Sequence, residues 1–444
     1  MLLENQWVSL AGVLGVTAGQ LELGGLLHRI DVASEQLRQQ LRLRSAPLET
    51  REVDGEVLIR ASGIAGTVGV GRYALDVAPK FVRSDKGAED WNSSTLFLLR
   101  AVRRRHFAYR RSERMALSRL GFVDHVALAY LDACAVGLAD QPIQTYRSVK
   151  ETLPVLRGRL DIQRQLRVLG RRPHVIECEV NRLDTENEYN ALLKWAAVAL
   201  TKRIHAPAIR RAMLELVGKL PGVPDRRLAM RGGRLFAPPQ YRSWSEALDL
   251  AVLLASGLTH SSGNGTSSGY AFAFNMERLF EEFVEGAVSR ALRTMESDDL
   301  VALAQVTTEY AQPVQMTESK FYSRPDNVIR CAGVPLAIVD AKYKRLSEAT
   351  DTSSLRKPNN ADVYELVAAM TAQSCQTGLL VYPRINGDTE LPDDLLRTWN
   401  VNAFGTDLTV GAVAIDLSQL RSSRDLDDVD RHLAAILTEM LPGL

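Results

Sequence analysis

Residues 319–344 read SKFYSRPDNVIRCAGVPLAIVDAKYK, and the fold of the last third of the chain turns on them. Two apolar runs flank Ala332-Gly333, a pair suited to a two-residue hairpin turn. The second run ends in Asp340-Ala341-Lys342. Side chains along a strand alternate between faces, so Asp340 and Lys342 project to one side. Closing the hairpin brings Asp326, near the start of the first run, close to Asp340. Two carboxylates and a lysine then converge at one end of a sheet. Mg²⁺ takes oxygen ligands, typically one or two carboxylates with water and phosphate. A bound metal can polarise a phosphoryl oxygen and lower the pKa of a water. A lysine beside that water can orient it and stabilise developing negative charge. Phosphodiester hydrolysis needs those parts.

A third acid lies upstream. Residues 272–292, FAFNMERLFEEFVEGAVSRAL, have the spacing of an amphipathic helix. Met276, Phe280, Phe283, Val284, Ala287, Val288 and Ala291 form its stripe. Glu281 sits at the stripe's edge, whereas Glu282 neighbours Arg278, Glu285 and Ser289 on the polar side. Glu281 is therefore the acid expected to lean toward the sheet. Each residue alone has a plainer reading. Asp326 suits a turn after Pro325, Asp340 and Lys342 suit an ion pair at a strand end, and Glu281 suits a surface charge.

At 444 residues the chain is long enough for two or three domains. Its 46% hydrophobic and 24% charged residues suit folded cores rather than disorder. Lys+Arg 54 against Asp+Glu 53 gives a net charge of +1, so any anionic partner must be met by a local patch. One such run holds Arg100, Arg103, Arg104, Arg105, Arg110, Arg111 and Arg114. It reads either as a solvated helix face or as a contact for DNA phosphates or an acidic protein surface. Cys134, Cys178, Cys331 and Cys375 form no CxxC, and they read as buried small residues in a reducing compartment. No secretory leader and no apolar stretch long enough to span a bilayer is seen, so a cytoplasmic protein is expected.

The overall expectation is α/β, in three regions. Residues 1–90 read as β-rich, from alternation in VLIRASGIAGTVGVGRYALDVAPKF (57–81). Residues 91–265 read as mostly helical, with strands around VLRGRLDI (155–162). Residues 266–444 would carry the helix, the hairpin and a mixed sheet flanked by helices. HSSGNGTSSG (260–269) reads as a loop or linker at the boundary; with no GxxxxGK[ST], it is not a phosphate-binding loop. DLDDVD (425–430) reads as a solvated helix start.

A helix with an inward glutamate, a strand, PD, a second strand and DxK resembles the PD-(D/E)xK nuclease superfamily. NMERLFEEFV (275–284), SRPD (323–326), VDAKYK (339–344), NNADVYELVAAM (359–370) and GLLVYP (378–383) together resemble the McrC family, the nuclease subunits of McrBC modification-dependent restriction systems. DVAPKF (76–81), VLRGRLDI and CEVNRLDTENEYNALLKWA (178–196) look like segments of the same family. The resemblance runs from about residue 60 to about residue 385.

That resemblance implies a restriction and anti-phage endonuclease, cutting double-stranded DNA with Mg²⁺, or Mn²⁺ in its place. It further implies a McrB-like partner, a AAA+ GTPase hexamer that recognises methylated cytosine and whose GTP hydrolysis the chain stimulates. Asp326, Asp340 and Glu281 would be metal ligands, and Lys342 would position the attacking water. Residues 1–90 would bind the partner. Tyr364, Arg103, Arg104 and Arg105 are candidate DNA or partner contacts, and Arg157 and Arg159 conceivable ones for the nucleotide. Family members often carry glutamine where this chain has Glu365. The rival reading is a non-cleaving activator of the AAA+ motor that retains the nuclease fold.

Overall fold

The structure is a computed structural model that describes residues 1–15, 23–71, 73–82, 91–103, 121–225, 237–260, 270–295, 299–311, 321–346, 357–385, 396–403 and 405–441. The chain divides into two compact units, Met1–Arg119 with Thr259–Leu444, and Leu120–Leu258. The sequence reading places three regions in succession, whereas here the first and last parts of the chain share one unit.

In chain order, the first unit begins with β1 (Leu2–Leu3), β2 (Val8–Ser9), α1 (Leu10–Leu14), α2 (Leu23–Leu41), β3 (Leu48–Val53), β4 (Glu56–Ala61), β5 (Ile64–Val70), β6 (Tyr73–Ala78) and α3 (Trp91–Arg103). The expected β-rich region thus also contains a 19-residue helix, α2. Leu26, Ile30 and Leu37 of α2 are buried in the same cluster as Ile59, Val68 and Val77. Gly24 and Gly25 near its start weaken the helical signal in the sequence.

The second unit holds α4 (Phe122–Leu138), β7 (Thr145–Leu153), β8 (Arg159–Leu160), α5 (Ile162–Val168), β9 (Ile176–Asp184), α6 (Glu188–Thr201), α7 (Pro207–Lys219) and α8 (Ser245–Gly257). Asn187 caps α6, its side chain accepting from the Asn190 N–H. Tyr130 inside α4 is fully buried and donates to the Leu193 carbonyl at 2.7 Å.

The chain then continues through β10 (Leu258–His260), β11 (Tyr270–Asn275), α9 (Met276–Thr294), β12 (Leu300–Ala304), β13 (Thr308–Ala311), β14 (Phe321–Ser323), β15 (Asn327–Cys331), β16 (Val334–Ala341), α10 (Asn360–Gln373), β17 (Thr377–Pro383), β18 (Arg397–Ala403), β19 (Thr406–Ile415) and α11 (Ser423–Met440). Apart from His260, the Gly/Ser stretch 260–269 lies outside the described residues.

A six-stranded mixed sheet, in the order β12-β15-β16-β17-β19-β18, forms the centre of this part. β16, β17 and β19 run parallel, and their neighbours are antiparallel. Central strands covered on both faces need continuous apolar runs. Gly378-Leu379-Leu380-Val381-Tyr382-Pro383 meets that need and is buried throughout. α10 covers one face, with Leu366 and Met370 packed in a cluster with Ile338, Leu380 and Tyr382. α9 and α11 are tied by a largely buried ion pair, Arg290 Nε to Asp430 Oδ2 at 2.6 Å. Asp430 corrects the expected fully solvated DLDDVD: α11 starts there, but its periodicity turns Leu426 and Asp430 inward.

The N-terminal strands hold the start of α9. β11 pairs antiparallel with β5, with Ala273 opposite Gly66 and Asn275 opposite Ile64. Asn275 caps α9 by accepting from the Arg278 N–H. Met276 N–H donates to the Gly63 carbonyl at 3.0 Å. Gly66 has φ +128, and a Cβ there would stand 2.1 Å from the Phe272 carbonyl oxygen. Backbone cannot retreat as a flexible side chain can. Gly66→Ala is expected to destabilise by about 3 kcal/mol or more. Gly25→Ala meets nothing within 4 Å on α2 and is expected to stabilise by about 0.5–1 kcal/mol. Denaturant midpoints of the two variants check both signs.

Candidate active site

The hairpin forms as the sequence suggests. Cys331 pairs with Val334, and Ala332 (φ 47) and Gly333 (φ 86) make the turn with positive φ at both central residues. At the other end Asn327 pairs with Val339, which sets Asp326 opposite Asp340. The Asp326 carboxylate accepts the Ala341 N–H at 2.8 Å, and its carbonyl accepts the Gln305 N–H at 2.9 Å. Both ends of Asp326 are therefore fixed to backbone.

Lys342 follows the last residue of β16. Its Nζ lies 2.7 Å from Asp340 Oδ2 and 2.7 Å from Glu365 Oε2. Asp340 is buried, whereas the Glu365 side chain is 69% exposed. One turn earlier on α10, buried Asp362 accepts from Lys344 Nζ at 2.6 Å and from Tyr382 O–H at 2.8 Å. Two lysines of the DAKYK segment thus meet two acids of α10.

The electrostatics follow from burial. Asp326 is pushed up to about 6, first by burial and then by the charge of Asp340, against the opposing pull of the Ala341 N–H and Lys342. Burial also raises Asp340, and Lys342 works against that rise. Glu281, half-buried on α9, is raised to about 7 by burial and by the nearby charges of Asp326, Glu277 and Asp340. Burial disfavours the ammonium of Lys342, but Asp340 and Glu365 outweigh it and hold the lysine protonated above its ordinary range.

Asp326, Asp340 and Lys342 are therefore brought together, and Glu281 lies within electrostatic reach of all three. Tyr364 is exposed on α10. Arg103 ends α3, and its side chain, with Arg104 and Arg105, lies outside the described residues. Arg157 and Arg159 belong to the second unit, and Arg159 is exposed on β8. Glu365, Asp362, Lys344 and Tyr382 are participants that sequence reasoning did not assign. The repeated lysines of DAKYK and the acids spaced by three in DVYE were the available signal.

The donor set suits a hard, oxygen-liganded cation. Buried Asp340 and half-buried Asp326 face each other, and a divalent charge would relieve the repulsion that helps raise Asp326. Among the described residues, no three acidic, histidine or cysteine side chains are already gathered into a metal cage. Two carboxylates, with the rest of the shell left to water or phosphate, make a donor set that Mg²⁺ commonly takes. Among the described residues, no helix is long and apolar enough to cross a membrane.

Comparison with known proteins adds the context. No curated protein matches the chain in sequence. Over 98% of this chain and 99% of its own, one solved chain superposes with a TM-score of 0.62 at 17% identity; it comes from a refined half-complex of a tetradecameric assembly of Thermococcus gammatolerans McrB AAA+ hexamers with bound McrC. A chain from the cryo-EM structure of the Thermococcus gammatolerans McrBC complex matches at 18% identity and a TM-score of 0.46, over 66% of this chain and 87% of its own. The family model described as McrBC 5-methylcytosine restriction system component matches residues 59–383. That match covers well over half of the sequence, and the chain belongs to this McrBC family.

Proposed function

We propose that this chain is the DNA-cleaving subunit of a McrBC-type restriction system. It hydrolyses DNA phosphodiesters with Mg²⁺, and with Mn²⁺ as a substitute, through a C-terminal PD-(D/E)xK nuclease core. It does so while bound to a McrB-like AAA+ GTPase hexamer that recognises methylated DNA and whose hydrolysis it stimulates. The observation that carries the reading is the meeting of Asp326, Asp340 and Lys342 at one end of a strand pair.

In this mechanism Asp326 and Asp340 would hold the cation, and Glu281 would add a further carboxylate from α9. When bound, Mg²⁺ would polarise the scissile phosphate and acidify a water. Lys342 Nζ, held by Asp340, orients the attacking water and meets charge developing on the phosphate. Glu365 shares that ammonium, and DNA phosphate entering the site competes with it for the lysine. Tyr364, exposed beside Glu365, would touch DNA in this reading. The rival is a non-cleaving activator of the AAA+ motor that retains the nuclease fold.

The deciding experiment mixes the chain with its neighbouring AAA+ subunit, nucleotide, Mg²⁺ and methylated plasmid. Asp340→Ala is expected to reduce cleavage by about 1000-fold or more while nucleotide hydrolysis by the partner is still stimulated. Equal nicking by wild type and variant, or stimulation with no cleavage by either, would sink the nuclease assignment.

A pH dependence follows from the same carboxyls. Asp326 (about 6) and Glu281 (about 7) keep protons that a divalent cation must displace. Mg²⁺ affinity by calorimetry is therefore expected to rise between about pH 5.5 and pH 7.5. Both groups have folded pKa values above their unfolded ones. Without divalent cation they should cost stability progressively as pH rises from about 4 toward 7. Melting scans in chelator should show that loss, less of it in Glu281→Gln, and recovery on adding Mg²⁺. A wild-type slope identical to that of Glu281→Gln would remove Glu281 from the site.

A further inference from the structure

Lys80 lies two residues past β6, at the end of DVAPK (76–80), and takes no part in the proposed cleavage chemistry. It is only 9% exposed, and Glu4 beside it only 2%. Lys80 Nζ donates to the main-chain carbonyl of Tyr343 at 2.7 Å and lies 3.8 Å from the centroid of that residue's ring. Glu4 completes the group. One of its oxygens accepts from the Gly63 N–H at 2.9 Å and stands 3.9 Å from Lys80 Nζ. The other accepts from the Lys80 N–H at 3.2 Å and from Tyr343 O–H at 2.7 Å. Glu277 adds a favourable charge and Lys344 an unfavourable one. The Phe280 ring packs 5.8 Å from that of Tyr343.

A buried ammonium is costly unless it is paired and hydrogen-bonded. Here it meets a carboxylate, a carbonyl and a ring face. What the arrangement holds is a short piece of chain. β16 ends at Ala341. Lys342 N–H still donates to the Val381 carbonyl at 2.8 Å, and Lys344 N–H folds back on the Lys342 carbonyl at 2.8 Å. The Tyr343 carbonyl is thereby left to a partner outside the sheet, and Lys80 supplies it. On either side of that pinned residue, Lys342 reaches Asp340 and Glu365, and Lys344 reaches Asp362.

We propose that Lys80, with Glu4, is a positioning residue for the nuclease site, clamping Tyr343 so that the two flanking lysines keep their reach. The inference rests on the cleavage reading above and deepens it. It also gives the N-terminal strands a share in the site, since Glu4 follows β1 and Lys80 follows β6.

The test uses the full chain with Lys80→Met, Tyr343→Phe and, as a control, Thr67→Ala. Thr67 bonds Asp76 at 2.6 Å between β5 and β6. In hydrogen exchange of the free protein, Lys80→Met is expected to speed exchange of the 342 and 344 amides by about tenfold or more. Tyr343→Phe should do so to a smaller extent, and Thr67→Ala should leave those amides alone. In single-turnover plasmid cleavage with the AAA+ partner, nucleotide and Mg²⁺, Lys80→Met is expected to lower the maximal rate by about tenfold or more, with half-saturating DNA unchanged. Unaltered exchange at 342 and 344 overturns the proposal. So does an unaltered maximal rate where Lys342→Ala is inactive. A wild type that never cleaves would instead fail the nuclease reading, and exchange would still decide the clamp. If Lys80→Met does not fold, Tyr343→Phe carries both arms.

Discussion

Two carboxylates that face each other across a buried strand pair cannot both be ionised without a counter-charge. The β15–β16 register sets Asp326 opposite Asp340, and the surrounding sheet keeps bulk water from screening them. Everything around the pair answers that constraint. The Ala341 N–H offers Asp326 a fixed dipole, and Lys342 offers Asp340 a full charge. Glu281, half-buried and near Asp326, Glu277 and Asp340, is raised to about 7 although the charge of Lys342 works against the rise. The metal in the proposed mechanism enters as a replacement for protons, not as an addition to a settled site.

The neighbouring acids sort by the same logic. Asp362 is buried but satisfied twice, by Lys344 and by Tyr382, and reads as part of the scaffold. Glu365 is exposed, so its hold on Lys342 is screened by water and is easily traded for a phosphate. A glutamine there would offer Lys342 a neutral carbonyl oxygen in place of a charged one.

Much of the site was legible because it is local. The turn at Ala332-Gly333, the alternation that pairs Asp340 with Lys342, and the inward edge of α9 at Glu281 all follow from spacing within a few residues. The pieces that escaped reading depend on distant chain. Tyr343 meets Glu4 and Lys80, separated from it by more than half the sequence, and periodicity carries no such information. α2 was missed for a different reason: its glycines blur a helical stripe that includes buried Leu26, Ile30 and Leu37 but also buried, polar Ser34. The division of the chain was hidden too, because nothing in the composition of residues 1–90 tells that β5 must wait for β11.

That waiting has a consequence for how the protein is made. The first unit is discontinuous, interrupted by Leu120–Leu258. A ribosome delivers β5 about two hundred residues before β11, which pairs with it and launches α9. Until then β5 has an open edge, the kind of strand border that invites wrong partners. The inserted unit is contiguous and can settle while the first is still incomplete. Asp326, Asp340 and Lys342 emerge later still, so the candidate site can be assembled only after β11 has been made.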